Sequence, residues 1–287
     1  MRRIPIAMRY DKNDLFENFA VEPWEHYVPA FHEIGNVYYI GDDFAAAHLV
    51  DTGEGLIIID TGMPTTTPYL VHNIYALGYR PEQIKIILHT HAHFDHMGGT
   101  SVLKKLSNAD LYMSKTDTEM FVQRPELVTF GTHTEMGWPM IQVDCEIEDG
   151  DIIELGNTRI CCMITPGHTD GTLSFVMNIT DHNVEYKAAM FGGTGLNTLS
   201  YSYLTEKFGS LENREKFVKS LDRLEAITGI EVTLANHPDF NDTFAKQKKK
   251  QEQPDAINPF YDPSEWVRRM VILRNQLKDL VESEKMI

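Results

Sequence analysis

Six consecutive residues, His91-Ala92-His93-Phe94-Asp95-His96, constrain this 287-residue chain more than any other feature. They bring three imidazoles and a carboxylate into one short stretch. Neutral imidazole and carboxylate are donors that Zn²⁺ accepts readily, so the run offers metal ligands without any thiolate. In an extended turn His91 and His93 point to one side and can share one ion. Asp95 and His96 follow where the chain begins to turn and can reach a second ion beside it. The run lies directly after an apolar strand, Ile84 to Leu88, and before a helix, the kind of junction at which rigid elements carry functional loops. A merely solvated His-rich loop would have no reason to fall there. Two later histidines also sit at strand ends: His168 in Thr165-Pro166-Gly167-His168-Thr169-Asp170-Gly171, and His237 in Ala235-Asn236-His237-Pro238.

The rest of the chain must fold around that run. Its length and its 42% hydrophobic content suit one globular domain over residues 1–287, with a core at about 36–240 and a C-terminal helical extension at about 241–287. Acidic residues outnumber basic ones 42 to 26, a formal charge of −16. Nucleic-acid binding depends on Lys and Arg contacts to phosphates, so the expected partner is a small-molecule substrate and not a polyanion. Oligomeric state is not legible. Cys145, Cys161 and Cys162 are odd in number, and the adjacent pair would point to opposite faces of a strand, so no disulfide framework is expected. The first residues begin basic, but Pro5 and Arg9 interrupt any apolar export core, which predicts a cytoplasmic location with a periplasmic or secreted one as the alternative. Apolar runs such as Leu56 to Ile59 fall far short of the roughly 20 residues needed to span a bilayer.

Strands are expected at Val37 to Ile40, Ala46 to Val50 and Leu56 to Ile59, separated by Gly/Asp turns. A helix should open with Thr67 as N-cap and Pro68 at the first helical position. After the strand Ile84 to Leu88, one helix from Asp95 through Val102, Leu103 and Leu106 is expected, then a strand at Asp110 to Met113. The irregular segment of about Gln123 to Gln142 is a candidate substrate-facing lid. A second β-rich stretch covers Ile152 to Leu155, Arg159 to Thr165, Leu173 to Met177 and Tyr186 to Phe191. Helical spacing returns at Glu212 to Ile227, a strand follows at Glu231 to Ala235, and an amphipathic helix carries Trp266, Met270, Leu273, Leu277 and Leu280. The basic run Lys246 to Lys250 reads as a solvated helix face.

Taken together, the H-x-H-x-D-H run, Ile59-Asp60-Thr61-Gly62, the P-G-H-T turn and the His after a terminal strand resemble the metallo-β-lactamase-fold hydrolases over roughly Asn36 to His237. The resemblance implies an αββα sandwich, two β-sheets face to face with helices on both outer faces, and metals at one edge. The β-then-α, β-then-α order agrees. It further implies two Zn²⁺ per chain, one held by His91, His93 and His168, the second by Asp95, His96 and His237. Many family members carry at the position of Thr194 an Asp that bridges both metals, and one β-lactamase subclass carries a Cys; a neutral hydroxyl is a weak ligand beside either. The pattern is most similar to the third subclass of metallo-β-lactamases.

Hydrolysis of a cyclic amide or ester by zinc-activated hydroxide is the reaction this implies, with Asp95 orienting the nucleophile or shuttling its proton. β-Lactam cleavage, and with it antibiotic resistance, is the most specific expectation; a cytoplasmic lactonase or thioester hydrolase is the alternative. Iron-dependent oxidoreductases and nucleases of the fold fit less well, given Thr194 and the charge. Asp60 reads as a partner of a metal-bound imidazole, since such rings usually donate their second N–H to a carboxylate. Thr194 and Asn197 are taken as substrate-proximal. Asp60-Thr61-Gly62 also matches an aspartic-protease motif, whose chemistry needs two carboxylates sharing one proton; here it reads instead as a strand-ending turn. Gly192-Gly193-Thr194-Gly195 lacks the Lys of a phosphate loop and is expected to allow close backbone approach to the metals.

Overall fold

The computed structural model describes residues 15–128, 141–181 and 184–285, with the backbone alone for 15–17. Twelve strands among these form two sheets. The first contains β1 (Phe31–Ile34), β2 (Val37–Tyr39), β3 (His48–Asp51), β4 (Leu56–Ile59), β5 (Ile84–Leu88), β6 (Asp110–Ser114) and β7 (Cys145–Ile147), in that spatial order. Its first four strands form an antiparallel meander, and β4 to β7 run parallel. The second sheet has the order β12 (Val232–Ala235), β11 (Val184–Phe191), β10 (Leu173–Asp181), β9 (Thr158–Ile164), β8 (Ile152–Leu155), antiparallel except for the β11–β12 pair.

Alternation along the strands explains why two sheets stack. In β4, Ile57 and Ile59 face the second sheet while Leu56 and Ile58 face outward onto helices, so all four are buried and the strand reads as an unbroken apolar run. Ile57, Ile59 and Leu88 meet Phe175, Met177, Met190 and Leu234 in the layer between the sheets. Cys162 joins that layer, whereas its neighbour Cys161 is half-buried. The helix Thr67–Ala76 covers the outer face of the first sheet with Leu70 and Ile74. The helices Glu212–Glu225 and Glu265–Glu284 cover the second with Phe217, Leu221, Trp266 and Met270. This is the expected αββα sandwich. No helix among the described residues is long and apolar enough to cross a membrane.

Several elements differ from the sequence expectation. The strands β1 and β7 have no counterpart in it. The first long helix opens at Thr67, one residue early, with Thr66 at the N-cap position; the Thr66 hydroxyl does not cap it but donates to Asp42 Oδ2 at 2.8 Å. The helix expected from Asp95 is two, Phe94–Met97 and Thr100–Ser107. The break falls at Gly98-Gly99, where a Cβ on Gly98 would lie 2.3 Å from Pro64 N, so the chain packs directly on the turn after β4. Val102 and Leu106 remain exposed, and only Leu103 of that trio enters the core. The run Lys246 to Lys250 is not simply a solvated face. Lys246 turns inward to buried Glu265, and Lys250 Nζ donates to the carbonyls of His32 (2.8 Å) and Glu33 (2.9 Å). Most of the candidate lid lies outside the described residues; its start forms the helix Pro125–Val128.

Candidate metal centre

All six expected ligands gather at one edge of the sandwich. His91, His93, Asp95 and His96 follow β5, His168 lies in the β9–β10 turn, and His237 follows β12. The edge is stitched across the sheets: Leu173 N donates to Thr90 O at 2.7 Å, Ala46 N to Asn236 O at 2.9 Å, and His48 Nε2 to Ala235 O at 2.7 Å. The side chains fall into two triads, His91/His93/His168 and Asp95/His96/His237, each with its ligand atoms within 4.8 Å of one another. All six residues are at least nine-tenths buried except His237, which is half-buried.

The hydrogen bonds around the triads decide what they can hold. His96 Nδ1 donates to Asp60 Oδ2 at 2.8 Å, and His237 Nδ1 donates to Phe44 O at 2.7 Å. Their Nε2 atoms therefore face each other at 3.1 Å as lone pairs, an arrangement that needs a cation between them, a proton or a metal ion. In the other triad His168 Nδ1 donates to Gly195 O at 2.7 Å, leaving its Nε2 facing His93 Nδ1 at 3.0 Å. His91 Nε2 and Asp95 Oδ1 are buried with no hydrogen-bond partner, a costly state for polar atoms unless a ligand satisfies them. The donor set fits two Zn²⁺ ions, one per triad.

Electrostatics points the same way. Burial, reinforced by neighbouring imidazoles, holds His91 and His93 well below the ordinary histidine range. Burial likewise lowers His168 to about 4 and lowers His237, so these rings are neutral and ligand-competent. His96 is the exception: burial would lower it, but the charges of Asp95 and Asp60 prevail and raise it. Asp60 is fully buried, and although burial opposes its charge, His96 and His89 hold its carboxyl far below the usual range. It accepts from Thr90 N (2.8 Å), Thr90 Oγ1 (2.7 Å) and His96 Nδ1 (2.8 Å). Its backbone sits at φ 59°, a left-handed conformation that Asp tolerates better than most residues.

Thr194 does not point a free hydroxyl at the triads. Its Oγ1 donates to Asn236 Oδ1 at 2.7 Å, and Asn236 Nδ2 donates to Gly192 O at 2.9 Å. The glycines beside it are closely packed: a Cβ on Gly192 would lie 2.1 Å from Leu173 O, and one on Gly193 2.8 Å from His168 Cβ. They admit close approach of the β10 end and of the turn that carries His168. His89, adjacent to the motif, is a buried structural histidine bonded to Thr100 Oγ1 at 2.8 Å.

A cleft of about 450 Å³ opens over the triads, and Asp95, His168, Thr194, Asn197 and His237 line it. The sequence reading did not assign Thr90, which links His91 Nδ1 (3.1 Å) to Asp60, or Asn236. It also left open the C-terminal helix, whose Arg269, Ile272, Leu273 and Gln276 form one wall of the cleft. Their spacing in a regular amphipathic helix gives no sign of what that face meets.

An αββα sandwich with paired His/Asp triads at one edge defines a metallohydrolase-like scaffold. The chain carries a domain of the metallo-beta-lactamase superfamily, matched over residues 40–181. Among solved structures it is similar to BJP-1, a subclass B3 metallo-beta-lactamase of Bradyrhizobium japonicum, at 28% identity and TM-score 0.81, covering 93% of this chain and 98% of that one. Among curated proteins it is similar to an N-acyl homoserine lactonase of Bacillus thuringiensis, 24% identical over 184 residues. That match spans 56% of this chain and 65% of the lactonase. An acyl-coenzyme A thioesterase of Bos taurus is 23% identical over 209 residues, 65% of this chain and 71% of the thioesterase.

Proposed function

We propose that the protein is a dinuclear zinc hydrolase that opens a cyclic amide, most specifically a β-lactam. The observation that carries this reading is the pair of triads, with opposed lone pairs and two orphaned buried atoms, at the floor of a cleft able to hold a small molecule. His91, His93 and His168 would hold one Zn²⁺, and Asp95, His96 and His237 the other. Bound zinc would lower the pKa of water toward neutrality and polarise the substrate carbonyl.

The chain's own residues supply the rest. Asp95 Oδ2 lies 3.4 Å from His96 Nε2 and 3.7 Å from His237 Nε2, while Oδ1 has no protein partner. Oδ1 is the atom to orient the attacking water and take its proton, which then passes to the ring nitrogen as the C–N bond breaks. Asp60 keeps His96 in the tautomer that turns Nε2 to the metal. Asn197, exposed on the cleft wall, would donate to a substrate oxygen. Thr194, tied to Asn236, leaves the second triad without a ligand from that position, as the third β-lactamase subclass would have it.

Hydrolysis of a lactone or thioester is the second reading, favoured by the lactonase and thioesterase among the similar proteins. Zinc-loaded protein assayed with a chromogenic cephalosporin and a panel of lactones and acyl thioesters separates the two. Turnover of the cephalosporin supports the first reading. Turnover of lactone or thioester alone replaces it with the second.

A further inference from the structure

Both loops that carry the first triad are tied to one carboxylate outside it. Asp117 is fully buried and lies in the first turn of the helix Lys115–Gln123. Its Oδ2 accepts from Ala92 N at 2.8 Å, between His91 and His93, and from Thr169 Oγ1 at 2.9 Å, next to His168. Its Oδ1 accepts from Gly171 N at 2.9 Å. The partners are 25, 52 and 54 residues away in sequence, so these are long-range ties between separate loops. No hydrogen bond from Asp117 reaches the Asp95/His96/His237 triad.

The local sequence, Ser114-Lys115-Thr116-Asp117, has the spacing of a helix capping box, in which the acid would turn back to the N-cap amide. Only half of that pattern forms. Ser114 Oγ accepts from Asp117 N at 3.2 Å, but the carboxylate faces the two loops. A helix N-terminus favours a negative charge there. Three donors converge on the carboxylate, and two of them are backbone amides whose positions fix the chain on either side.

We infer that Asp117 is the positioning residue of the first metal site: it sets the distance between the His91/His93 loop and the His168 loop, and does nothing comparable for the second site. This rests on the two-zinc reading above. Replacement by Asn puts an NH₂ group where one of the donors must bond, so at least one loop is released while the side-chain volume is kept.

The test is zinc content and affinity under competition with a chelator, by mass spectrometry and titration, on the folded full-length chain. The wild type is expected to hold two equivalents. Asp117→Asn should lose one of them, weakened roughly 10- to 100-fold, the usual effect of removing a group that orients metal ligands. In a His96→Ala background, which impairs the second triad, Asp117→Asn should remove the remaining equivalent. Thr169→Val, deleting a single donor, should weaken the same equivalent by less, and it carries the test if Asp117→Asn does not fold. Two equivalents at wild-type affinity in the folded variants, or equal weakening of both, would overturn the inference alone. A wild type that takes up no zinc overturns it together with the two-zinc reading.

Discussion

At the scale of single residues, the site is a set of candidate ligands plus the groups that hold their tautomers. Asp60 is the hub of the second kind, bonded directly to His96 and through Thr90 to His91. Asp60→Asn tests it cleanly, because Asn also tolerates the left-handed backbone at that position. The variant should lose about 1–3 kcal/mol of stability, as for a buried partner of charged groups, measured by urea unfolding. It should also bind its second zinc more weakly; unchanged metal affinity would count against Asp60 as an orienting group. The six candidate ligands stand out in the sequence because four fall in one run whose donor chemistry is distinctive, and the fold brings all six to one edge. Asp60 was legible by its place at the end of an apolar strand. Asp117, Thr90 and Asn236 were not, because each is an ordinary polar residue whose partners are set by loops brought together only by the fold.

At the scale of elements, the apolar strands and amphipathic helices declared themselves by period, whereas elements with mixed surfaces did not. The strand β1 contains His32 and Glu33, which break any simple alternation, and yet Glu33 is fully buried. Its Oε2 lies 2.6 Å from His48 Nδ1, and the other ring nitrogen of His48 donates across to Ala235 O in the second sheet. Both His48 nitrogens thus face acceptors, and although burial would lower its pKa, the neighbouring Glu33 raises it. This clamp joins the sheets two residues before His237. Removing one partner of a buried ion pair typically costs about 3–5 kcal/mol, because the other is left uncompensated. His48→Leu should show a loss of that size in urea unfolding, and adding Glu33→Leu should recover much of it. A double variant no more stable than the single one would mean that the pair is not coupled in this way. Lys246 and Lys250 teach the same lesson: a run of like charges read as solvent-facing places two of its members, one helical turn apart, against buried acceptors.

For the whole molecule, the −16 charge and the buried imidazoles together set how the fold responds to acid. Burial keeps His91, His93, His168 and His237 neutral below the pH at which an unfolded chain would protonate them, near 6.5. A group with a depressed folded pKa contributes stability that is present above its unfolded value and lost as the pH falls toward the folded one. For His168 the window runs from about 6.5 down to about 4, which corresponds to roughly 3 kcal/mol. His96, raised by Asp95 and Asp60 against burial, acts in the opposite sense, so the observed slope is the sum. Metal binding runs with the larger effect, since ligands must be deprotonated to coordinate, and zinc at 100 times its dissociation constant would add about 2.7 kcal/mol per site. Chelator-treated protein should therefore be less stable than zinc-loaded protein at pH 7, and its urea-unfolding free energy should fall steeply between pH 7 and 4.5. His168→Gln, which removes one of the imidazoles, should flatten that fall by a measurable fraction. Identical slopes for the two metal-free proteins would show that the burial of His168 does not govern the acid response.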